Sequence, residues 1–204
     1  MFALVDKSDN SITRMLSGNK GITIGDNQYP KAIFNLWTES ERNAIDIYTV
    51  ELDESKKKDE QWYINTNVTY SFGGGKVTGA YGDATAKAHA DTLFTAQDET
   101  DGLGTEGDVK VEGLKTILIR NLKSQAATEL QNTDWYVIRK TDAGTAIPSS
   151  ITTHRAAVRT KVAEMETAIT NASDTPALET LYTYTKQEDG SFTRPLGELP
   201  TLES

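Results

Sequence analysis

Cysteine is absent from this 204-residue chain. That excludes disulfides, thiolate zinc sites and cysteine nucleophiles. Histidine is scarce: only His89 and His154 occur, far apart, and neither belongs to an H-E-x-x-H or similar ligand spacing. There is no G-x-S-x-G elbow. The opening Met1–Asp6 has no basic stretch and no long apolar run, so neither a signal peptide nor a membrane span is expected. Positive charge is also short. Lys and Arg number 21 against 30 Asp and Glu, for a net charge of −9. A phosphate-backbone binder needs a positive field, so nucleic acid and anionic membrane are not expected partners. The run Lys56-Lys57-Lys58 lies between Asp53-Glu54 and Asp59-Glu60, which cancels its field and marks a solvated turn.

Hydrophobic residues make up 37% of the chain, and the mean hydropathy is −0.50. These values predict a modest core with much polar surface, as in elongated modules or assembly subunits. Residues 1–110 carry 18 acids against 11 bases, and 111–204 carry 12 against 10, so the acidity is concentrated in the first half.

The early chain reads as β structure. Phe2–Val5 and Ile12–Leu16 flank a polar turn, a hairpin signal. Gly21–Gly25 is a short strand. Thr38 with Glu41 three residues on forms a capping box at a helical turn. Residues 45–52 alternate, and 61–72 alternate for a full dozen, with Trp62, Ile64, Val68, Tyr70 and Phe72 on one face and Tyr63 on the other. That pattern predicts a long amphipathic strand. Residues 83–97 switch to helical spacing, with Asp83 as N-cap and Ala86, Ala90, Leu93 and Phe94 on one face. This helix would hold His89.

The acidic, glycine-rich stretch 98–110 reads as a linker and as the domain boundary. Beyond it, Leu114, Leu118, Leu122, Ala126 and Leu130 make one helical stripe. Ile151, Val158, Val162, Met165 and Ile169 make another, starting after Pro148-Ser149-Ser150. Residues 132–147 read as a long, partly ordered connection, and a short helix follows Asp174-Thr175-Pro176. The expected architecture is α+β: an antiparallel β module over 1–97 ending in a helix, a linker over 98–110, a helical module over 111–189 and an extended, separable tail over 190–204.

Candidate chemistry thins out on inspection. Gly73-Gly74-Gly75-Lys76 lacks the upstream glycine and the following Ser or Thr of a phosphate loop. Gly102-Leu103-Gly104-Thr105-Glu106-Gly107 matches a dinucleotide fingerprint literally, but Asp98, Glu99, Asp101, Glu106 and Asp108 would repel phosphate. The same acids miss the EF-hand register, leaving a weak calcium site at most. His154 stands in an Arg-rich turn and reads as a surface contact. No enzyme, metal or cofactor is expected.

Two segments remain. Thr133-Asp134-Trp135-Tyr136 is followed by His154-Arg155-Ala156-Ala157-Val158-Arg159. Arg155 and Arg159 share a helical face. A guanidinium–carboxylate pair with Asp134 is one reading of their role. The other is a docking surface of Trp135, Tyr136, Arg155 and Arg159, since Trp and Arg are favoured interface anchors. Trp62 and Tyr63 are further partner candidates, and in an alternative reading Trp62, Tyr63, Tyr70 and Phe72 receive a host-surface glycan.

A "TDW" followed by an R-x-x-x-R helix resembles the tail assembly chaperones and tail-fibre assembly proteins of tailed bacteriophages. His154 stands where these usually have Tyr, and Val158 where they have Leu. The stretch from Tyr29-Pro30 through Trp37–Arg42 to Ile45–Tyr48 resembles the openings of many small phage tail proteins, with Asp46 in place of Gly. The resemblance implies a non-enzymatic protein that docks on tail-fibre, baseplate or other tail subunits, either as a structural subunit or as an assembly chaperone. It implies a host-cytoplasmic location during assembly or a place in the virion tail. A homo-oligomer is expected, through the 61–72 strand or the 150–171 helix.

Overall fold

The run Phe2-Ala3-Leu4-Val5 has no polar face, because the strand it forms is covered on both sides. In the computed structural model, which describes residues 1–202, β1 (Phe2–Asp6) sits inside a five-stranded sheet. Ala3 and Val5 pack with Tyr48 and Val77, whereas Phe2 and Leu4 pack with Ile22, Ile33, Phe34 and Ile47 on the opposite side. Alternate side chains point to opposite faces of a strand, so a continuous apolar run serves two cores.

The sheet runs β2-β1-β5-β8-β7, with β2 at Ser11–Leu16, β5 at Ile47–Asp53, β7 at Thr69–Gly73 and β8 at Lys76–Ala80. All neighbours are antiparallel except β5 and β8, which pair in parallel with Val50 opposite Val77. The outer strands β2 and β7 approach each other, so the sheet curls on itself around the cluster of Ala3, Val5, Tyr48 and Val77. The second core lies under the hairpin β3 (Ile22–Ile24) and β4 (Asn27–Tyr29) and the short helix α1 (Ile33–Leu36). Ile47 and Val77 are fully buried, each contributing about 1.5–3 kcal/mol. Helix α2 (Glu39–Asn43) opens with the expected capping box: Glu41 N donates to Thr38 Oγ1 at 3.3 Å and Thr38 N to Glu41 Oε2 at 2.7 Å. The Thr38 amide and hydroxyl, both donating to Glu41 Oε2, hold the Glu41 carboxyl below its ordinary pKa.

The dozen-residue strand does not form. The Asp59 carbonyl accepts from both Trp62 N and Tyr63 N, and the Asp59 carboxylate accepts from Gln61 N at 2.8 Å. Asn65 bonds the Lys58 amide and carbonyl, each at 2.8 Å. Asp and Asn offer the backbone local partners that compete with a strand ladder. Only β6 (Tyr63–Ile64) and β7 remain extended.

The chain divides into two compact units, Met1–Thr85 and Ala86–Ser204, with the short β9 (Thr85–Ala86) at the division. This falls earlier than the 98–110 stretch. That stretch is ordered. Helix α3 (Ala96–Thr100) opens on a second capping box: Thr95 Oγ1 accepts from Asp98 N, and Asp98 Oδ2 accepts from Thr95 N. Lys110 Nζ lies 2.6 Å from Asp98 Oδ1. With the Thr95 bonds, it lowers the Asp98 pKa to about 2. β10 (Thr92–Leu93) pairs with β11 (Val109–Val111) across the loop.

The 83–97 helix is also absent, and His89 lies in a bend. The reason is a competing demand on the same carbonyls. Helix α4 (Leu114–Gln131) has no side-chain cap of its own. Leu114 N donates to Ala88 O at 2.9 Å and Lys115 N to His89 O at 3.0 Å. Asp91 accepts from Gly113 N at 2.6 Å and from Thr116 Oγ1 at 2.8 Å. The first amides of a helix otherwise have no partner. Gly113 is required by the close approach, because a Cβ there would lie 2.3 Å from the Ala90 carbonyl.

The rest of the second unit follows the helical stripes. Leu114, Leu118, Leu122 and Ala126 of α4 are buried, as are Ile151, Val158, Met165 and Ile169 of α6 (Ser149–Asn171). His154 shares that face at 7% exposure, so it is a core residue rather than a surface contact. Residues 132–147 are not a loose connection: they contain α5 (Asp134–Ala143), which ends at the left-handed Gly144. Helix α7 (Thr175–Tyr182) starts at Asp174, whose carboxylate caps Ala177 N. The tail is docked. β12 (Thr185–Lys186) pairs with β13 (Phe192–Thr193), Leu196 is 3% exposed, and its amide donates to Leu181 O at 3.0 Å. The molecule is an α+β protein with strands in its N-terminal part and helices in its C-terminal part.

Candidate functional site

The two motif segments meet in space. Arg155, on α6, places Nη1 2.9 Å from the Leu130 carbonyl, 2.7 Å from Thr133 Oγ1 and 2.8 Å from Asp134 Oδ1. Leu130 lies in the last turn of α4, where carbonyls lack intrahelical partners. Thr133 is 1% exposed, and its hydroxyl also donates to Leu130 O at 2.9 Å. One guanidinium therefore closes the end of α4 and fixes the start of α5. The pairing of Arg155 with Asp134 is the fold-stabilising one of the two readings given to this arginine. Its side chain is 15% exposed.

What that pin holds out is α5. None of its ten residues is buried. Trp135 is 50% exposed, and Val137 and Ile138 are exposed as well. The Trp135 and Tyr136 rings lie 3.9 Å apart, tilted by 33°. Arg139 Cζ stands 4.5 Å from the Trp135 ring and 5.4 Å from the Tyr136 ring. Its Nε is shielded from solvent and forms no hydrogen bond. A ten-residue helix is marginal in water on its own. It persists here through the Arg155 pin, the Gly144 cap and this stack. Stacking the rings against one guanidinium limits their motion, which lowers the ordering cost of contacting another surface.

Arg159 is exposed and does not join that pin. It lines a groove of about 250 Å³ between α4 and α6 with Lys123, Ala127, Leu130 and Val162. His154 Nε2 lies 3.1 Å from Glu129 Oε1 but is not aligned for a hydrogen bond, so packing holds the ring in place.

Trp62 and Tyr63 do not form an open platform. They are 3% and 5% exposed, and Lys58 Nζ covers the Tyr63 ring at 4.3 Å. Phe72 packs on Tyr48 at 4.7 Å within the core of the sheet. Trp62 and Tyr63 thus offer a sugar no free face, while Tyr70 and Phe72 are half-buried, and the Tyr70 hydroxyl lies 3.8 Å from Met1 Sδ.

The sequence reading missed Arg139. The signal was present, since Arg139 is four residues from Trp135 and three from Tyr136, the spacing of neighbours on a helix. It was hidden because 132–147 was not read as a helix. Among the described residues, no group of three or more His, Asp or Glu side chains could hold a metal ion. Among the same residues, no helix is long and apolar enough to cross a membrane. No protein-family model, no curated protein and no solved structure matches this chain.

Proposed function

We propose that this chain is a non-enzymatic tail or tail-fibre-associated protein of a tailed bacteriophage, acting by docking on fibre, baseplate or other tail subunits. The observation that carries the reading is α5: a pinned helix without a buried residue that presents Trp135, Val137 and Ile138 beside a stacked Arg139. Exposed apolar side chains grouped around an aromatic and an arginine are what interface anchors look like. The "TDW" and R-x-x-x-R resemblance supplies the class of partner. The arrangement suits either a permanent subunit or a chaperone that leaves after assembly.

The test is mass spectrometry of purified particles, together with affinity capture of the tagged chain from infected cells. Presence in the particle at a multiple of three or six makes it a structural subunit. Absence from the particle, with a tail subunit captured from the lysate, makes it a chaperone. Recovery of neither overturns the proposal.

A further inference from the structure

One net-positive stretch lies in the N-terminal unit. From residue 11 to residue 38 the charged residues are Arg14, Lys20, Lys31 and one acid, Asp26. This net-positive stretch stands in a chain of net charge −9. It also encloses a cavity of about 410 Å³, formed by the end of β2, the Ser17–Gly21 turn and the start of β3. That volume falls within the usual range of small-molecule sites.

The cavity has two kinds of wall. Leu16, Ile22 and Phe34 supply apolar surface, and Arg14 and Lys20 supply charge. Ile22 and Phe34 belong to the core beneath β3 and α1, so that wall is rigid. Gly21 sets the turn against the β4 end: a Cβ there would lie 2.6 Å from the Tyr29 carbonyl. Among the described residues, neither Arg14 nor Lys20 forms an ion pair. The contact recorded for Arg14 is a long one, Nη2 to Thr23 O at 3.4 Å. Two cations without carboxylate partners, at the rim of an apolar-walled cavity in an acidic protein, are matched by an oxyanion carried on a compact body.

We infer that this cavity is a binding site for a small organic anion, in which a carboxylate or phosphate monoester meets Arg14 and Lys20 and a ring-sized body lies against Leu16, Ile22 and Phe34. The same chemistry is offered by an acidic sugar and by a sugar phosphate. A neutral sugar lacks the charge that the two cations would meet.

The experiment is an amide chemical-shift titration of the full-length protein with glucuronate, glucose 6-phosphate and glucose as separate probes. Saturable shifts confined to residues 14–23 are expected for at least one of the two anions, and the better binder tells carboxylate from phosphate. Arg14→Gln with Lys20→Gln should weaken that binding about tenfold or more. Because both side chains are exposed, the variant should keep its fold, as its unchanged spectrum elsewhere would show. Equal shifts with glucose, no saturation with either anion, or unchanged binding by a folded double variant would each overturn the assignment.

Discussion

The Arg155 guanidinium donates a 2.7 Å hydrogen bond to the hydroxyl of Thr133, a side chain almost fully withdrawn from solvent. Twenty-two residues separate the two in sequence, and the bond joins the "TDW" segment to the R-x-x-x-R helix. It assigns different jobs to neighbouring motif residues. Thr133, Asp134 and Arg155 set the chain path, while Trp135 is half-exposed and Arg139 stacks on it.

Arg155→Ala should therefore lower stability by about 2–3 kcal/mol, since hydrogen bonds to a charged group are lost and the buried Thr133 hydroxyl loses a donor. Urea unfolding measures this. Arg155→Lys should recover only part, because an ammonium lacks the planar fork of a guanidinium. Full recovery by lysine would show that charge alone holds the turn.

Trp135→Ala should shift the unfolding free energy by less than about 1 kcal/mol, as expected for a half-exposed side chain outside the core. Capture of the proposed tail-subunit partner should fall by an order of magnitude or more, the scale of an interface hot spot. Thermal melts and quantitative pull-downs on the same preparation separate the two. A drop in melting temperature with capture unchanged would make Trp135 a packing residue.

The tail was expected to be separable, and the docked Leu196 reverses that expectation. Leu196→Ala should cost about 2–5 kcal/mol. Truncation before residue 190 should destabilise the helical unit, read as a fall in melting temperature. An unchanged melt of the truncated chain would show that Leu196 contributes nothing there.

Acid sensitivity has a sign fixed by Asp98. The Lys110 ammonium and the Thr95 bonds pull its carboxyl down to about 2 in the folded protein, below the ordinary aspartate value of 3.8. The folded state thus favours the charged form, and the stabilisation is fully present above pH 4. It is lost as the pH falls from about 4 towards 2. Lys110→Met should flatten that part of the stability profile, because the Lys110 ammonium is the largest cause of the shift. Denaturant midpoints measured between pH 2 and pH 6 would reveal it.

Elements with long stripes and explicit stop signals were legible in the sequence. Helices α4, α6 and α7, the β1–β2 hairpin and the Thr38 capping box fall where spacing and caps put them. The failures share a cause: local polar groups claimed backbone that periodicity had assigned elsewhere. Asp59 and Asn65 broke the 61–72 alternation. The α4 amides took the carbonyls of Ala88 and His89 from a would-be helix. Thr95 and Asp98 built a capped turn inside an apparent linker. Asp46 is an instructive residue. It adopts a φ of +62°, a region glycine enters without steric cost, and its carboxylate meets Lys7 Nζ at 2.6 Å. At the candidate site, the Asp134–Arg155 pair was readable from spacing. The Arg139 stack was not, because it depended on recognising α5 first.

The borrowed cap of α4 decides where this chain can be cut. Its first amides are satisfied by Ala88, His89 and Asp91, residues that precede the helix by some two dozen positions. A fragment starting at Lys110 would keep every helical stripe and still expose the electropositive end of α4. The helical half therefore keeps the cap of α4 only when it begins at or before Ala88. Any gene fusion, nested translation start or protease nick between there and Gly113 would release a piece with a frayed end.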